Sequence, residues 1–493
     1  MRETQAQMRT CDYDVIVVGG GISGLLSALA LGKHGKRVLL LEKGRHFGGN
    51  CNSYRVDGFQ VDTGPHAITN LQKGPLRVLM DKYFDYIPNF VDYGRYYVRT
   101  SGGIKPIPSN LREFATFDPL PRMDRLMLSQ ALTKALTLAT FGTDMSKESI
   151  YSWLPRNLSE DTYSFVDTIS YFLSGKSMKE TSVYRVLYGS SFVRDSMMYE
   201  AREPTIPTLP ATPNQLTEQL TNIPYQLAGQ LTNIPYQLAG QLTNITTLSR
   251  LVTNRNTHVQ AYPAGGLKTL TNSVLYSLPD NVEIRTDTCV KRILVDDEGA
   301  CGISTDDTSY SAKTIVYSGF AKDLPLMIDD LPADYRCDLK MIDQSKSLCI
   351  WLGLSQKLKE FDYMGSEVWY KEKAYWAMPI SNYSRTIAPA GKQLVGFMFV
   401  VEGSVKSETE RAWDTIHNVF PGIDRFIEMT HNQVTIPEKA SVTVDGYIPD
   451  VRTPVANLYL VGTDAAAESM GITRAAYSVV DLLKCMSEDG CLG

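Results

Sequence analysis

The fold is decided by the stretch DYDVIVVGGGISGLLSALALGKHGKRVLLLE, residues 12–42. Asp12–Val18 is a short apolar run that predicts a buried strand, and Gly19–Gly24 predicts a turn. Leu25–His34 predicts a helix. Arg37–Leu41 is a second continuous apolar run, which is typical of a strand inside a parallel sheet. The order strand, turn, helix, strand predicts a βαβ unit.

The turn of this unit has the glycine spacing GxGxxG, which points to a bound dinucleotide. Gly19 makes the tight turn, Gly21 lets the backbone approach a pyrophosphate, and Gly24 lets the helix pack closely on the strand. The N-terminus of the helix that follows supplies unpaired N–H groups and the positive end of its dipole to the phosphates, so Ile22 and Ser23 of the turn are also expected to contact the cofactor. The spacing therefore predicts a phosphate-binding turn.

An acidic residue follows at the end of the second strand. Glu42 lies 18 residues after Gly24 and is followed by Lys43. A carboxylate at this position accepts hydrogen bonds from the ribose hydroxyl groups of an adenosine. Strand, turn, helix and acid together predict that residues 12–43 bind an ADP-containing cofactor.

Composition limits the remaining possibilities. The chain has 493 residues, 43% of them hydrophobic, and a net charge of −5, which argues against a nucleic-acid partner. Its eight cysteines are scattered without a CxxC pair, so we interpret them as reduced thiols of a cytoplasmic protein. Its six histidines form no metal-binding pattern, so no metal site is predicted.

Two further glycine segments extend the pattern, KGRHFGGN at 43–50 and GFQVDTGPH at 58–66. With these segments the chain resembles the FAD-dependent superfamily of amine oxidases, protoporphyrinogen oxidases and phytoene desaturases. It resembles the phytoene desaturase-like branch most, although that family usually has arginine where this chain has Asn50. The resemblance implies that Gly48, Gly49 and Asn50 lie along the ribityl–pyrophosphate and that Gly64 and Pro65 lie near the isoalloxazine ring.

A later segment, YPAGGL at 262–267 followed by a predicted helix at Lys268–Leu278, resembles the PxGG segment of the same superfamily. We expect Asp287–Ile293 to form the next strand. The resemblance implies that Val290, on this strand, holds the adenine with its backbone groups.

The C-terminal stretch NLYLVGTD, residues 457–464, matches a strand end of the superfamily. The resemblance implies that Gly462 and Asp464 contact the ribityl chain and that Gly471 and Ile472 open a helix aimed at the flavin. No cysteine stands near Gly471, so the FAD is expected to be bound non-covalently.

These segments predict an α/β fold. A discontinuous Rossmann-like FAD-binding domain is expected from residues 12–75, 256–320 and 440–490. A mixed α+β substrate domain is expected from residues 76–255 and 321–439. The active site should lie at the junction of the two domains.

The chemistry that follows from a flavin is hydride transfer at its N5 atom, which needs few catalytic side chains. His66 and Tyr447 are the candidates, His66 either as a proton donor or acceptor or as a structural histidine. Trp351, Tyr370, Tyr375 and Trp376 either line a cavity or form core. The resemblance implies a hydrophobic small-molecule substrate of the isoprenoid or polyene type that is desaturated, saturated or isomerised. An electron donor or acceptor of unspecified kind would complete the reaction.

Two alternatives stay open for the function. One is an amine oxidase-like enzyme acting on a small polar substrate, which an aromatic cage beside the flavin would favour. The other is a non-redox flavin mutase, because RHFGGN at 45–50 is similar to a segment of UDP-galactopyranose mutases. Arginines converging on a diphosphate site would favour the mutase.

One internal repeat stands apart from these motifs. QLTNIPYQLAG occupies Gln219–Gly229, recurs at Gln230–Gly240 and begins again at Gln241, with an eleven-residue apolar period. Residues 215–246 are either a surface insertion or an amphipathic lid. Together with the apolar face of Leu126–Phe141, such a lid would contact a membrane surface peripherally.

Overall fold

The computed structural model describes residues 11–64, 67–69, 71–72, 74–109, 111–140, 143–189, 260–370, 375–465 and 467–492. The predicted repeat at 215–246, as well as Pro65 and His66, lies outside the described residues.

The described strands are β1 (Tyr13–Val18), β2 (Val38–Leu41), β3 (Ser53–Val56), β4 (Phe59–Asp62), β5 (Phe90–Asp92), β6 (Arg95–Thr100), β7 (Gly103–Pro106), β8 (Ala261–Pro263), β9 (Val282–Arg285), β10 (Arg292–Asp296), β11 (Gly299–Ser304), β12 (Ser309–Tyr317), β13 (Lys346–Leu354), β14 (Gly365–Trp369), β15 (Tyr375–Met378), β16 (Gln393–Val401), β17 (Ile427–Thr435) and β18 (Leu458–Leu460). The described α-helices are α1 (Ile22–Lys33), α2 (Pro75–Tyr83), α3 (Leu111–Ala115), α4 (Arg122–Thr140), α5 (Ile150–Trp153), α6 (Glu160–Ser174), α7 (Val183–Gly189), α8 (Lys268–Tyr276), α9 (Leu324–Met327), α10 (Ala333–Lys340), α11 (Val405–Val419) and α12 (Gly471–Glu488).

A parallel sheet contains the predicted βαβ unit. β1 pairs in parallel with β2 on one side and with β12 on the other, while β9 extends the sheet beyond β2 and β18 pairs with β12. Val15–Val18 of β1 and Val38–Leu41 of β2 are buried, and α1 packs against both strands. Such burial on both faces explains why these strands are continuous apolar runs. The predicted α/β fold with a Rossmann-like sheet is confirmed.

A second sheet is mixed and follows the order β17-β13-β16-β15-β14-β6-β7. Its strands pair in antiparallel fashion except for β14 and β6, which run in parallel. The aromatic residues Trp351, Tyr370, Tyr375 and Trp376 are buried here and belong to hydrophobic core. Helix α6 packs against β15.

The prediction of a strand at Asp287–Ile293 is wrong. The strand β10 begins only at Arg292, and residues 286–291 are irregular. Asp287 has a φ of 51°, which is not a strand conformation. Its amide donates to the carbonyl of Gly44 and the amide of Thr288 donates to the carbonyl of Glu42. The segment therefore folds around the end of β2 instead of joining the sheet.

None of the helices in the described ranges is both long enough and apolar enough to cross a bilayer. On α4, Ala135 and Leu136 are buried and form a small cluster with Val183 and Leu187 of α7. The C-terminal half of α4 therefore faces protein on its apolar side.

Candidate functional site

A cavity of about 550 Å³ opens at the carboxyl ends of the parallel strands. Val18 of β1, Leu41 of β2 and Tyr317 of β12 all contribute to its wall. In open parallel sheets, ligands bind at this edge, where the loops after the strands diverge. The volume lies within the range of roughly 300–1,000 Å³ that is usual for small-molecule and cofactor sites.

Most of the predicted cofactor residues meet at this cavity. Those that line it are Gly19, Gly21, Ile22, Ser23, Glu42, Lys43, Gly48, Gly49, Asn50, Val290, Gly462, Gly471 and Ile472. Gly24, Gly64 and Asp464 are not among the residues that line it.

The glycine turn has the geometry that a pyrophosphate requires. A Cβ atom added at Gly21 would meet no protein atom within 4 Å, so this backbone faces the open cavity. A Cβ atom added at Gly24 would overlap the carbonyl oxygen of Gly19, so here only glycine lets α1 approach the turn. Helix α1 begins directly at Ile22, and its first amides point toward the cavity end of the helix.

Glu42 connects two loops on one side of the cavity. Its Oε2 accepts a hydrogen bond of 2.7 Å from the amide of Gly20, and its Oε1 accepts one of 2.7 Å from the amide of Gly44. The carboxylate is thereby fixed against two glycine-containing turns. A carboxylate oxygen has two lone pairs, so Glu42 keeps acceptor capacity for a ribose hydroxyl group.

The second glycine loop is bonded directly to the first. The amide of Gly48 donates to the carbonyl of Gly20 at 2.8 Å, and Gly48 forms a parallel bridge with Gly21. The side-chain amide of Asn50 donates to the carbonyl of Ile436 at 2.8 Å. The loop predicted from KGRHFGGN is therefore one wall of the same cavity.

The C-terminal segment closes the opposite wall. The Asp464 side chain is buried and accepts a hydrogen bond of 2.7 Å from the amide of Ala321. It thus joins the segments after β18 and β12, and Gly462 lies between it and the cavity. Helix α12 begins at Gly471, as the sequence predicts.

A buried ionic cluster supports the start of α12. Glu438 accepts from the amide of Gly471 at 2.9 Å and is paired with the guanidinium groups of Arg474 and Arg185. Burial raises the pKa of Glu438, but the two guanidinium groups outweigh that effect and hold the pKa below its usual value. Arg185 also donates to the carbonyls of Leu173 and Ser469, so it links α7 to the turn before α12.

The segment 436–439 is a part of the site that the sequence did not reveal. Ile436, Pro437 and Lys439 line the cavity, and Lys439 Nζ donates to the carbonyls of Ser318 and Gly319. Nothing in the sequence around Lys439 forms a recognisable motif. Ser318 and Gly319, which bind Lys439, directly follow the apolar end of β12. Their position could have indicated this part of the site, because ligands bind at the carboxyl ends of central parallel strands.

Of the two catalytic candidates, the structure describes only Tyr447, and this residue does not line the cavity. His66 lies outside the described residues. The amide of Tyr447 donates to the carbonyl of Met341, just after α10, and Tyr447 is not among the residues lining the cavity. Burial raises the pKa of the Tyr447 hydroxyl, with Asp338 and Asp450 adding to the effect.

Comparison with known proteins agrees with this geometry. A family described as the NAD(P)-binding Rossmann-like domain matches residues 17–83. An all-trans-retinol 13,14-reductase of Danio rerio is 44% identical over 72 residues, which are 14% of this chain and 12% of that protein. A 4,4'-diaponeurosporene oxygenase of Staphylococcus aureus is 35% identical over 72 residues, which are 15% of this chain and 13% of that protein. The chain thus spans about an eighth of the length of these two relatives.

The similarity to solved structures extends over the whole chain. An oxidoreductase from Methanosarcina mazei has a TM-score of 0.69 at 19% identity, covering 96% of this chain and 100% of that chain. A cyclohexylamine oxidase from Brevibacterium oxydans has a TM-score of 0.62 at 15% identity, with coverage of 96% and 100%. At sequence identities of 15–19%, the similarity establishes a shared fold only.

A shorter relative defines the family. An uncharacterized protein in the nifH2 3' region of Methanothermococcus thermolithotrophicus is 55% identical over 102 residues, which are 21% of this chain and 98% of that protein. The chain therefore belongs to the same family as that protein, and its fold is the one seen in the solved oxidoreductase from Methanosarcina mazei and in the cyclohexylamine oxidase.

Proposed function

We propose that the protein is an FAD-dependent oxidoreductase that transfers a hydride between the flavin and a hydrophobic, isoprenoid or polyene-like substrate. The cavity carries this proposal, because its wall combines the Gly19–Gly24 turn with Gly48, Gly462 and Gly471. A wall built from the βαβ turn alone would serve NAD(P) equally well. The added GG loop and C-terminal helix are the parts that favour FAD.

When bound, FAD supplies hydride chemistry at its N5 atom. The chain's own residues would bind and orient it. The backbone at Gly21 and the first turn of α1 would hold the diphosphate, and Glu42 would accept from the adenosine ribose. Gly471 and Ile472, at the positive end of α12, would face the flavin end of the cofactor.

The substrate class rests on the relatives. The matched proteins whose names specify a substrate include a retinol reductase and a diaponeurosporene oxygenase, both of which act on polyenes. A flavin enzyme for such a molecule needs an apolar site next to the cofactor that excludes water. The proposal therefore includes a substrate site between the parallel sheet and the second sheet.

The mutase alternative receives no support from the buried arginines. Arg185 and Arg474 lie beside the wall of the cavity, but their guanidinium groups face Glu438 and carbonyl oxygens. An amine oxidase would have the same fold and would differ only in its substrate. An experiment is therefore needed to distinguish it from the proposed enzyme.

The test begins with the visible spectrum of the purified protein, before and after anaerobic reduction, followed by mass spectrometry of the released pigment and lipid. We expect released FAD, bleaching on reduction, and a co-purified isoprenoid. A protein that stays colourless after incubation with FAD would refute the proposal.

A second measurement separates the alternatives. The reduced protein is mixed anaerobically with a polyene, and the oxidised protein is mixed with a primary amine. Return of the flavin absorbance with the polyene supports the proposal. Bleaching of the oxidised flavin by the amine, with no response to the polyene, would favour an amine oxidase instead.

A further inference from the structure

The side chain of Lys439 reaches the centre of the cofactor cavity wall. Its Nζ donates to the carbonyl of Ser318 at 2.7 Å and to the carbonyl of Gly319 at 2.5 Å. Both carbonyls follow β12, the strand that lies between β1 and β18 in the parallel sheet. The ammonium group is therefore fixed at the edge where a dinucleotide crosses the sheet.

The ammonium lies close to Gly462 and to the first turn of α1. A Cβ atom added at Gly462 would lie 2.9 Å from Asp464 Oδ1, 3.2 Å from Lys439 Nζ and 3.7 Å from the hydroxyl of Ser23. Lys439, Gly462 and Ser23 all line the cavity. The ammonium thus lies close to the helix end that binds phosphate in this fold.

Lys439 has donor capacity beyond its two carbonyl partners. Burial lowers the pKa of Lys439, while the carboxylates of Asp464, Asp323 and Glu42 act in the opposite direction and Lys43 adds to the lowering. A phosphate beside the ammonium would oppose the effect of burial on the pKa, as the carboxylates do. Two of the three N–H groups of the ammonium bind carbonyls, and the third can donate to a ligand.

Two hydrogen bonds position the segment that carries Lys439. Asn50 donates to the carbonyl of Ile436, and the amide of Lys439 donates to the hydroxyl of Thr463. These two bonds hold the segment 436–439 against the cavity, with Lys439 pointing inward.

We propose that Lys439 is a cofactor-binding residue whose ammonium group contacts the diphosphate of the dinucleotide. This inference rests on the proposed FAD site and names the cation of that site. The segment after β17 would thereby supply a positively charged side chain, which neither the glycine turn nor the C-terminal strand supplies.

The test measures the affinity of the apoprotein for FAD, ADP and adenosine in K439M and K439Q. ADP contains the diphosphate without the flavin, and adenosine lacks both. A charge-assisted hydrogen bond contributes about 1.5–3 kcal/mol, so its loss weakens binding about 10- to 150-fold. K439Q removes the charge but keeps amide donors for Ser318 and Gly319, so it remains informative if K439M does not fold.

K322Q is the matched control. Lys322 also donates to a backbone carbonyl, that of Ile342, but it is not among the residues lining the cavity. We expect K439Q to bind FAD and ADP about tenfold more weakly or worse, adenosine as the wild type does, and K322Q to bind all three normally. Unchanged ADP binding in K439Q, or an equal loss for adenosine, would overturn the inference. If the wild type binds ADP but not FAD, the proposed function is refuted. The role of Lys439 is then decided by whether K439Q binds ADP more weakly than the wild type does.

Discussion

The amide of Gly471 donates to the carboxylate of Glu438 at 2.9 Å, so the first N–H group of α12 is bonded within the protein. The same carboxylate is the shared counter-charge of Arg185 and Arg474, which are both buried. Two positive charges and one negative charge thus lie just behind the part of the cavity wall formed by Gly471 and Ile472.

Replacing Glu438 by glutamine should destabilise the fold strongly. The E438Q variant leaves two buried guanidinium groups without a counter-charge, and breaking a buried ion pair costs about 3–5 kcal/mol. The free energy of unfolding of the apoprotein is measured by urea denaturation at pH 7. E428Q is the control, because Glu428 pairs with Lys392 at the surface and such pairs contribute about 1 kcal/mol or less. Equal losses in both variants would show that the cluster does not stabilise the fold.

Asp62 should make stability depend on pH. Burial raises the pKa of its carboxyl group to about 6, although the hydroxyl groups of Ser53 and Tyr262 and the amide of Leu267 act in the opposite direction. The folded chain therefore holds this proton more tightly than the unfolded chain, where the pKa is about 3.9. The resulting stabilisation is complete below about pH 4 and is lost as the pH rises through about 6.

The D62N variant isolates this effect, because asparagine does not titrate. Two pKa units correspond to about 3 kcal/mol. We expect the free energy of unfolding of the wild type, relative to D62N, to fall by roughly that amount between pH 4 and pH 7. A difference that stays constant over this range would contradict the assignment.

Substitutions in the glycine turn should separate cofactor binding from folding. In G21V the added side chain enters the open cavity, so we expect an unchanged melting temperature and a loss of bound flavin. In G24A the added methyl group meets the carbonyl of Gly19, so we expect the melting temperature to fall. G102A is the control, because Gly102 lies in the turn between β6 and β7 with no atom closer than 3.8 Å. If G21V retained its flavin, the diphosphate could not lie against Gly21.

Cofactor binding should also protect one cysteine from alkylation. Cys289 and Cys337 are both exposed, but only Cys289 lines the cavity. Burial raises the pKa of Cys51 to about 12, so this thiol should react slowly in any state. We expect FAD to slow the reaction of iodoacetamide with Cys289 and to leave Cys337 unchanged, as measured by peptide mass mapping. Equal protection of both would indicate a general change in the fold.

The parts of the molecule that the sequence predicts best are those with local signatures. The βαβ unit follows from its apolar runs and glycine spacing, and the start of α12 is marked by Gly471. Glu42 is recognisable because its distance from the glycine turn is set by the length of one helix and one strand. In each case neighbouring residues determine the structure.

Other parts depend on contacts between distant segments. The irregular segment at 286–291 is held by carbonyls of Glu42 and Gly44, which are more than 240 positions away in the chain. The side chain of Lys439 is positioned by hydrogen bonds to the carbonyls of Ser318 and Gly319, which lie about 120 positions earlier in the chain. No pattern within either segment encodes these partners, so the sequence predicted a strand in the first case and no role in the second.

The pairing of β18 with β12, and the packing of α12 against α1, have a consequence for synthesis of the protein. The βαβ turn emerges from the ribosome early, but the wall formed by Gly462, Gly471 and Ala475 is translated more than 400 residues later. A nascent chain therefore carries a phosphate-binding turn long before it has a closed site. If the chain binds a dinucleotide as proposed, tight binding requires that α12 has been translated, and the binding free energy stabilises only chains of at least that length.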